Sequence, residues 1–296
     1  GSNIIEALLQ QRRWVRAIDN YSTGKKENIQ PFLNKIEFIQ GDLSNLKTAR
    51  KAIKDIDIVF HQAAIPSVQR SIANPIDSNS ANINGTLNIL LESRNAKVKK
   101  FIYASSSSIY GNNVELPKKE IHPPDPISPY GLTKFAGERY CQLFYTLYRL
   151  PTVCIRYFNV FGPRQNPKSQ YSAAIPKFIT AMLKGQPPII YGDGKQSRDF
   201  TYIDNVVKAN ILAANSTIKG EIINIACGRK ITLNQIIALI NKILGKNIKP
   251  TYLPAREGNI IHSLADISKA KKLLNYQPSV EFEKGLKKTI EWYRSH

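Results

Sequence analysis

The sequence is poor in residues that staple a fold or build a metal centre. Its 296 residues include three cysteines, four histidines, one methionine and two tryptophans. Cys141, Cys154 and Cys227 are widely spaced, so they show neither a disulfide framework nor a metal-ligand pattern. No metal is expected, and a reducing cytoplasm is the compartment that fits. No apolar run approaches the roughly 18 residues of a membrane helix, and the first residues lack the segments of a secretion signal. No membrane partner is expected. Acidic residues are also scarce: 22 Asp and Glu face 42 Lys and Arg, a net charge of +20. An excess of that sign attracts nucleic acid. The lysines, however, fall in scattered pairs such as Lys25-Lys26 and Lys271-Lys272, not in one stripe interleaved with aromatics. A well-solvated surface on a protein with anionic ligands accounts for them better, and no nucleic-acid partner is expected.

What is present is an ordinary globular composition, 42% hydrophobic and 22% charged. The first half alternates helix-like and strand-like segments. Helices are expected at 2–11, 82–96 and 129–150, and strands at 14–19, 36–40, 56–61, 100–105 and 152–157. Strands separated by helices predict an α/β fold with a parallel, doubly wound sheet, whose ligands lie at the carboxyl ends of the strands. After Phe158 the pattern changes. Residues 162–200 are rich in Gly, Pro and polar residues, and helices are expected at 173–184, 204–215, 232–244, 267–274 and 282–293. This predicts a smaller α/β region laid over the sheet edge. The division expected is 1–160 with about 200–228 for the sheet domain, and 161–199 with 229–296 for the substrate region.

A dinucleotide site normally opens with a strand and a G-x-G-x-x-G loop, and this sequence has neither. It begins at Gly1 and enters a helix at once. Asp19 follows a strand 18 residues past Gly1, close to the spacing at which an acidic residue grips the adenosine ribose. Gly1 is therefore read as the last glycine of such a loop, with the first strand and earlier glycines outside this sequence. The alternative is a Gly-Ser scar before an unrelated helix. Asp19 favours NAD over NADP, because a 2′-phosphate would be repelled. Asn20, Ser22, Thr23 and Gly24 supply small polar groups beside it, Asp42 and Leu43 frame the adenine side, and Gln62, Ala63 and Ala64 allow close approach to a cofactor.

Tyr130 and Lys134 lie four apart near the start of the long helix and share a face. Upstream, Ser106, Ser107 and Ser108 close an apolar strand, where hydroxyls face the crevice. A phenol of pKa about 10 is a poor base at neutral pH, and a nearby ammonium favours phenolate. A serine can then hold or relay the proton of a substrate hydroxyl.

These residues resemble the extended short-chain dehydrogenase/reductases, the NAD-dependent epimerase/dehydratase family. The resemblance extends over essentially the whole chain, through Asn82 in its Asn-Ile-Asn-Gly-Thr run, Arg156 to Pro163, and Tyr191 to Phe200. It implies a Rossmann-type fold, NAD as cofactor and a homodimer. Within the family the pattern is most similar to UDP-sugar 4-epimerases, particularly those acting on UDP-N-acetylglucosamine. It implies Tyr130 as base, Ser106 as hydroxyl partner, Lys134 as ribose anchor, and Ser107 and Ser108 as helpers. Asn82 and Tyr157 join the cofactor set. Asn159, Ala174, Tyr191, Gln196, Arg198, Arg256, Asn259 and Ser263 join Ser106 in the substrate set. Related dehydratases carry Asp-Glu where this chain has Ser107-Ser108, so no acid for elimination is evident. The family's Arg-x-Gly-Asp is Arg256-Glu257-Gly258-Asn259 here, which removes a charge. Ser263 stands where enzymes restricted to plain hexoses carry tyrosine, and so implies room for an N-acetyl group. The rival expectations are a UDP-glucuronate 4-epimerase or other 4-oxidoreductase, and a non-catalytic NAD-binding or RNA-associated protein.

Overall fold

The computed structural model describes residues 1–111, 113, 115–167, 174–255 and 261–296. A parallel pair, β1 (Arg16–Asp19) and β2 (Glu37–Gln40), is introduced by helix α1 (Ser2–Gln10). Helix α2 (Leu46–Ile53) leads to β3 (Ile58–His61). Short helices α3 (Val68–Ala73) and α4 (Pro75–Asn79) run through one π turn at Ser80–Asn84 into α5 (Gly85–Asn95). Then come β4 (Lys100–Ser106), α6 (Pro129–Tyr148) and β5 (Thr152–Tyr157). The smaller region contributes β6 (Val160–Phe161), α7 (Ala174–Leu183), β7 (Ile189–Tyr191), β8 (Ser197–Arg198) and β9 (Thr201–Tyr202). Helix α8 (Ile203–Asn215) and β10 (Glu221–Ile225) return to the main sheet, and β11 (Ile231–Thr232), α9 (Leu233–Leu244), β12 (Thr251–Leu253), α10 (Ser268–Leu274) and α11 (Phe282–Ser295) complete the chain.

The main sheet is parallel, in the order β10-β5-β4-β3. The β1-β2 pair forms a separate parallel block, so β1 and β3 each have hydrogen-bonded neighbours on one side only among the described residues. Both faces of the main sheet are covered, as period-2 alternation requires. From β4, Phe101 and Tyr103 pack with Ile89 and Leu90 of α5 and Cys141 and Phe144 of α6. Between them, Ile102 faces Ala209 and Ala213 of α8 on the other side. The smaller region has its own core, centred on Phe161, Ile179, Met182, Ile236, Ile240 and Ile290.

The expected helices and strands are present, their ends shifted by a few residues. The largest difference is at 82–96, where the α-helix proper starts only at Gly85 after the π turn. Helices α2, α3 and α4 and strand β10 were not anticipated. They are short, five to eight residues each, and too brief to show a helical period. A β-branched run between Gly220 and Gly228 is the signal that marks β10.

Candidate active site

The site lies where β4 ends and α6 begins. Helix α6 starts cleanly because Pro129 occupies its first turn, where no N–H is needed, and the Ser128 side chain accepts from the Gly131 N–H at 3.1 Å. Tyr130, Lys134, Glu138 and Cys141 follow at helical spacing along the face turned toward the sheet, and Lys134, Glu138 and Cys141 are buried.

At the strand end, adjacent serines take different roles. The Ser105 hydroxyl donates to the Glu138 carboxylate at 2.6 Å. Glu138 also accepts two hydrogen bonds from the Arg156 guanidinium, both 2.8 Å. This buried ion pair is fully engaged on the carboxylate side and ties α6 to β5 beneath the site. Ser106 turns the other way: its hydroxyl lies beside the Tyr130 phenol and accepts from the Ser108 hydroxyl at 2.9 Å and the Ser108 N–H at 3.1 Å. Ser107 begins the turn that follows.

Burial raises the Tyr130 phenol above its ordinary value, and the neighbouring Ser106 hydroxyl opposes the rise. Lys134 is buried, with Nζ donating to the Ala104 carbonyl at 2.8 Å and lying 5.1 Å from the centre of the Tyr103 ring. Burial brings its ammonium down to about 8, against the raising influence of Cys141 and Glu138. The sequence expectation was that the ammonium, with the positive nicotinamide ring, favours phenolate; the structure has the Lys134 ammonium on the Ala104 carbonyl and the Ser106 hydroxyl beside the phenol.

The cofactor-side residues collect at the ends of β1, β2 and β3. Asp19 Oδ1 accepts from the Tyr21 N–H at 2.7 Å. A Cβ on Gly24 would stand 2.7 Å from Asp19 Oδ2, so a side chain here would push the carboxylate aside. Asn20 donates to Asp42 at 2.7 Å and accepts from the Ser22 N–H at 2.9 Å. Ser22 and Thr23 face Arg70 and Asn74 across a cleft of about 330 Å³. Leu43 is turned into the core, so only its backbone can face a ligand, and its carbonyl accepts from Asn88. Ala63 is exposed and Ala64 half-buried beyond β3. Gln62 donates to the Tyr157 hydroxyl at 3.2 Å and to Asn210 at 3.3 Å, which joins β3, β5 and α8. Asn82 is buried, and its amide is shared between the Ile65 backbone and the Thr133 hydroxyl. Gly1 precedes α1, and the Ile4 and Ile5 N–H groups donate to its carbonyl.

The substrate-side residues form a second group. Asn159 takes a left-handed backbone with φ 33° and donates to the Asp199 carbonyl. Gln196 donates to the Tyr191 carbonyl at 2.6 Å. Arg198 donates to the Ser197 and Ile261 carbonyls, and burial lowers its pKa. Ser263 is buried, its N–H donating to the Ser197 carbonyl at 3.0 Å. Ala174 opens α7. Arg256 and Asn259 lie outside the described residues.

Sequence reasoning missed Asp199. It is wholly buried, and its carboxylate accepts from the Cys227, Gly228 and Ala265 N–H groups. Burial pushes its pKa up to about 6 against those hydrogen bonds. It binds the ends of three chain segments around Asn159 and Arg198. Its position beside Arg198 is the one sequence signal. His61 was also missed: it is buried, and burial first, then Lys134, pulls its pKa down to about 3. The Thr86 hydroxyl donates to the Asn82 carbonyl, so it accepts from His61 Nε2–H, which assigns the neutral tautomer.

The arrangement fits a dinucleotide. A carboxylate with one oxygen unbonded among the described residues, small residues beyond β3 and a tyrosine–lysine pair all stand near the carboxyl ends of parallel strands, in the β1-β2 block and the main sheet. Among the described residues no helix is long and apolar enough to cross a membrane.

Comparison with known proteins gives the same picture. The model of the "NAD dependent epimerase/dehydratase family" matches residues 1–226. The solved UDP-N-acetylglucosamine 4-epimerase from Methanobrevibacter ruminantium M1, in complex with UDP-N-acetylmuramic acid, is 43% identical with a TM-score of 0.95, covering 100% of this chain and 94% of that one. A putative UDP-glucose 4-epimerase of Methanocaldococcus jannaschii is 39% identical over 100% of this chain and 95% of its own. The UDP-glucuronic acid 4-epimerase from Bacillus cereus, solved with UDP-glucuronic acid and NAD, is 36% identical with a TM-score of 0.92, covering 100% and 96%. With its parallel sheet, its tyrosine–lysine helix and its serine-tipped strand, this chain belongs to the NAD-dependent epimerase/dehydratase family.

Proposed function

We propose that the chain interconverts UDP-GlcNAc and UDP-GalNAc by epimerisation at C4, and also accepts UDP-Glc and UDP-Gal. The observation that carries this reading is the Tyr130 phenol beside the Ser106 hydroxyl at the end of β4, with hydroxyls, not carboxylates, at Ser107 and Ser108. Such a site can move one proton on and off a sugar hydroxyl, and no acid stands there to eliminate water. Tyr130 takes the proton of the 4-hydroxyl as the 4-keto sugar forms and returns it at the end. Ser106 holds the phenol and the sugar oxygen in line. Asp19 and Lys134 would hold the ribose hydroxyls of NAD, Gly24, Ala63 and Ala64 would leave it room, and NAD when bound would supply the hydride chemistry at C4.

Residues 161–199 and 229–296 form the nucleotide-sugar-binding part. Arg198 and Arg256 grip the diphosphate, Asn159 supports it, and Tyr191, Gln196 and Asn259 border the nucleoside. Ser263 is small and buried, and a pocket that takes an N-acetyl group must have that volume free. The solved relative bound to an N-acetylated nucleotide sugar supports this choice. The protein acts as a homodimer through α6, whose outer face exposes Leu132, Leu143, Leu147 and Tyr148. The test is incubation of the NAD-loaded protein with UDP-GlcNAc, UDP-Glc and UDP-glucuronate, with products separated and identified. UDP-GalNAc is expected as the preferred product. Conversion of UDP-glucuronate alone would replace this reading with the glucuronate epimerase.

A further inference from the structure

The backbone of Tyr130 is held on one side by a side chain from a distant segment and on the other by its own helix neighbour Thr133, which a distant side chain braces in turn. A helix start leaves N–H groups without intrahelical partners. In α6, Pro129 has none, Gly131 donates to the Ser128 hydroxyl, and Leu132 donates to the Ser128 carbonyl. The remaining one, the Tyr130 N–H, donates to the Ser71 hydroxyl at 2.9 Å. Ser71 belongs to α3, 59 residues earlier, is wholly buried, and donates in turn to the Val68 carbonyl at 2.7 Å. On the other side, the Tyr130 carbonyl accepts from the Thr133 hydroxyl at 2.8 Å. Thr133 accepts from the Asn82 amide at 3.0 Å, and the Asn82 oxygen accepts from the Ile65 N–H at 2.7 Å. Ile65 and Val68 lie on one segment, so the chain of bonds closes on itself.

We propose that Ser71 and Thr133 are positioning residues for the base, a closed hydrogen-bonded frame that locks the Tyr130 backbone to the segment following β3. The inference rests on Tyr130 being the base. The phenol is aimed toward Ser106 from a fixed Cα, so its aim depends on the backbone at 130. Neither Ser71 nor Thr133 needs to touch substrate. Loosening either bond lets the first turn of α6 shift relative to β4, and small misplacements of a reacting group cost large factors in rate. Ser71 also accounts for a polar group buried beneath the crevice that would otherwise have no task there.

The experiment compares S71A, T133V, T133S and Y130F as NAD-loaded proteins on UDP-GlcNAc, reading kcat, KM, bound NAD and melting temperature. Ser71→Ala and Thr133→Val are expected to lower kcat about ten- to a hundredfold with KM within about twofold and bound NAD unchanged. Thr133→Ser keeps the hydroxyl and is expected to retain the parent kcat. Tyr130→Phe is expected to be almost inactive. Parental kcat in S71A and T133V beside an inactive Y130F would overturn the frame and leave the base reading intact. An active Y130F would overturn the base reading itself. A T133S as slow as T133V, or a kcat loss that only follows a fall in melting temperature, would make the two residues general packing and refute their positioning role.

Discussion

Lys134 should be kept at a cost to stability, and that cost can be measured. Its ammonium is buried against Ala104 and Tyr103, and its pKa falls to about 8 from the ordinary 10.5. The unfolded chain holds its proton up to about pH 10.5, whereas the folded chain gives it up near pH 8. A group with a depressed folded pKa adds stability above its unfolded value and loses it as pH falls through the folded value. At pH 7 the folded chain must therefore carry a buried charge that costs about 3 kcal/mol, and at pH 10 the cost shrinks to about 1 kcal/mol. Lys134→Met fills a similar volume without the charge, but leaves the Ala104 carbonyl without its donor and ends the contact with the Tyr103 ring. Net stabilisation of about 1–3 kcal/mol at pH 7 is expected, shrinking by about 2–3 kcal/mol between pH 7 and pH 10. Turnover should be lost. The assay is urea unfolding of the NAD-free protein and the variant at both pH values, followed by tryptophan fluorescence and circular dichroism. A variant less stable than the parent at pH 7, or a difference that does not change with pH, would refute the reasoning.

Three further outcomes are expected. Ser263→Tyr should place a ring where the N-acetyl group is proposed to lie, so the kcat/KM ratio of UDP-GlcNAc to UDP-Glc should fall by more than tenfold, about 1.4 kcal/mol or beyond; an unchanged ratio places the gate elsewhere. His61 has a pKa of about 3, below its ordinary 6.5, so its contribution to stability is complete above pH 6.5 and is lost at about 1.4 kcal/mol per pH unit as pH falls toward 3. A non-titrating His61→Gln should show a shallower acid dependence in urea midpoints at pH 7 and pH 5, and equal slopes would count against this. Gly137→Ala would set a Cβ 2.1 Å from the Tyr103 hydroxyl and 2.4 Å from the adjacent ring carbon. Overpacking should outweigh the better helix propensity of alanine by about 2 kcal/mol; a melting temperature at or above the parent's would show that the ring moves freely.

The sequence by itself determined the alternation of helices and strands, the crevice at the strand ends, and the one-turn spacing of Tyr130 and Lys134. These are local properties. A period of two or of 3.6 residues, a proline in a first turn and a serine at a strand end each carry their meaning within a few positions. Only the tertiary structure decided where side chains point and who their distant partners are. It sent Leu43 into the core, Ser105 to Glu138 and the Lys134 ammonium to the Ala104 carbonyl. It brought Ser71 across 59 residues to the Tyr130 N–H and gathered three backbone donors around Asp199. Such choices follow from the demand that every buried polar group find a partner. That demand is met by whichever segments the packing of the sheet and its helices brings together, and no spacing along the chain records it.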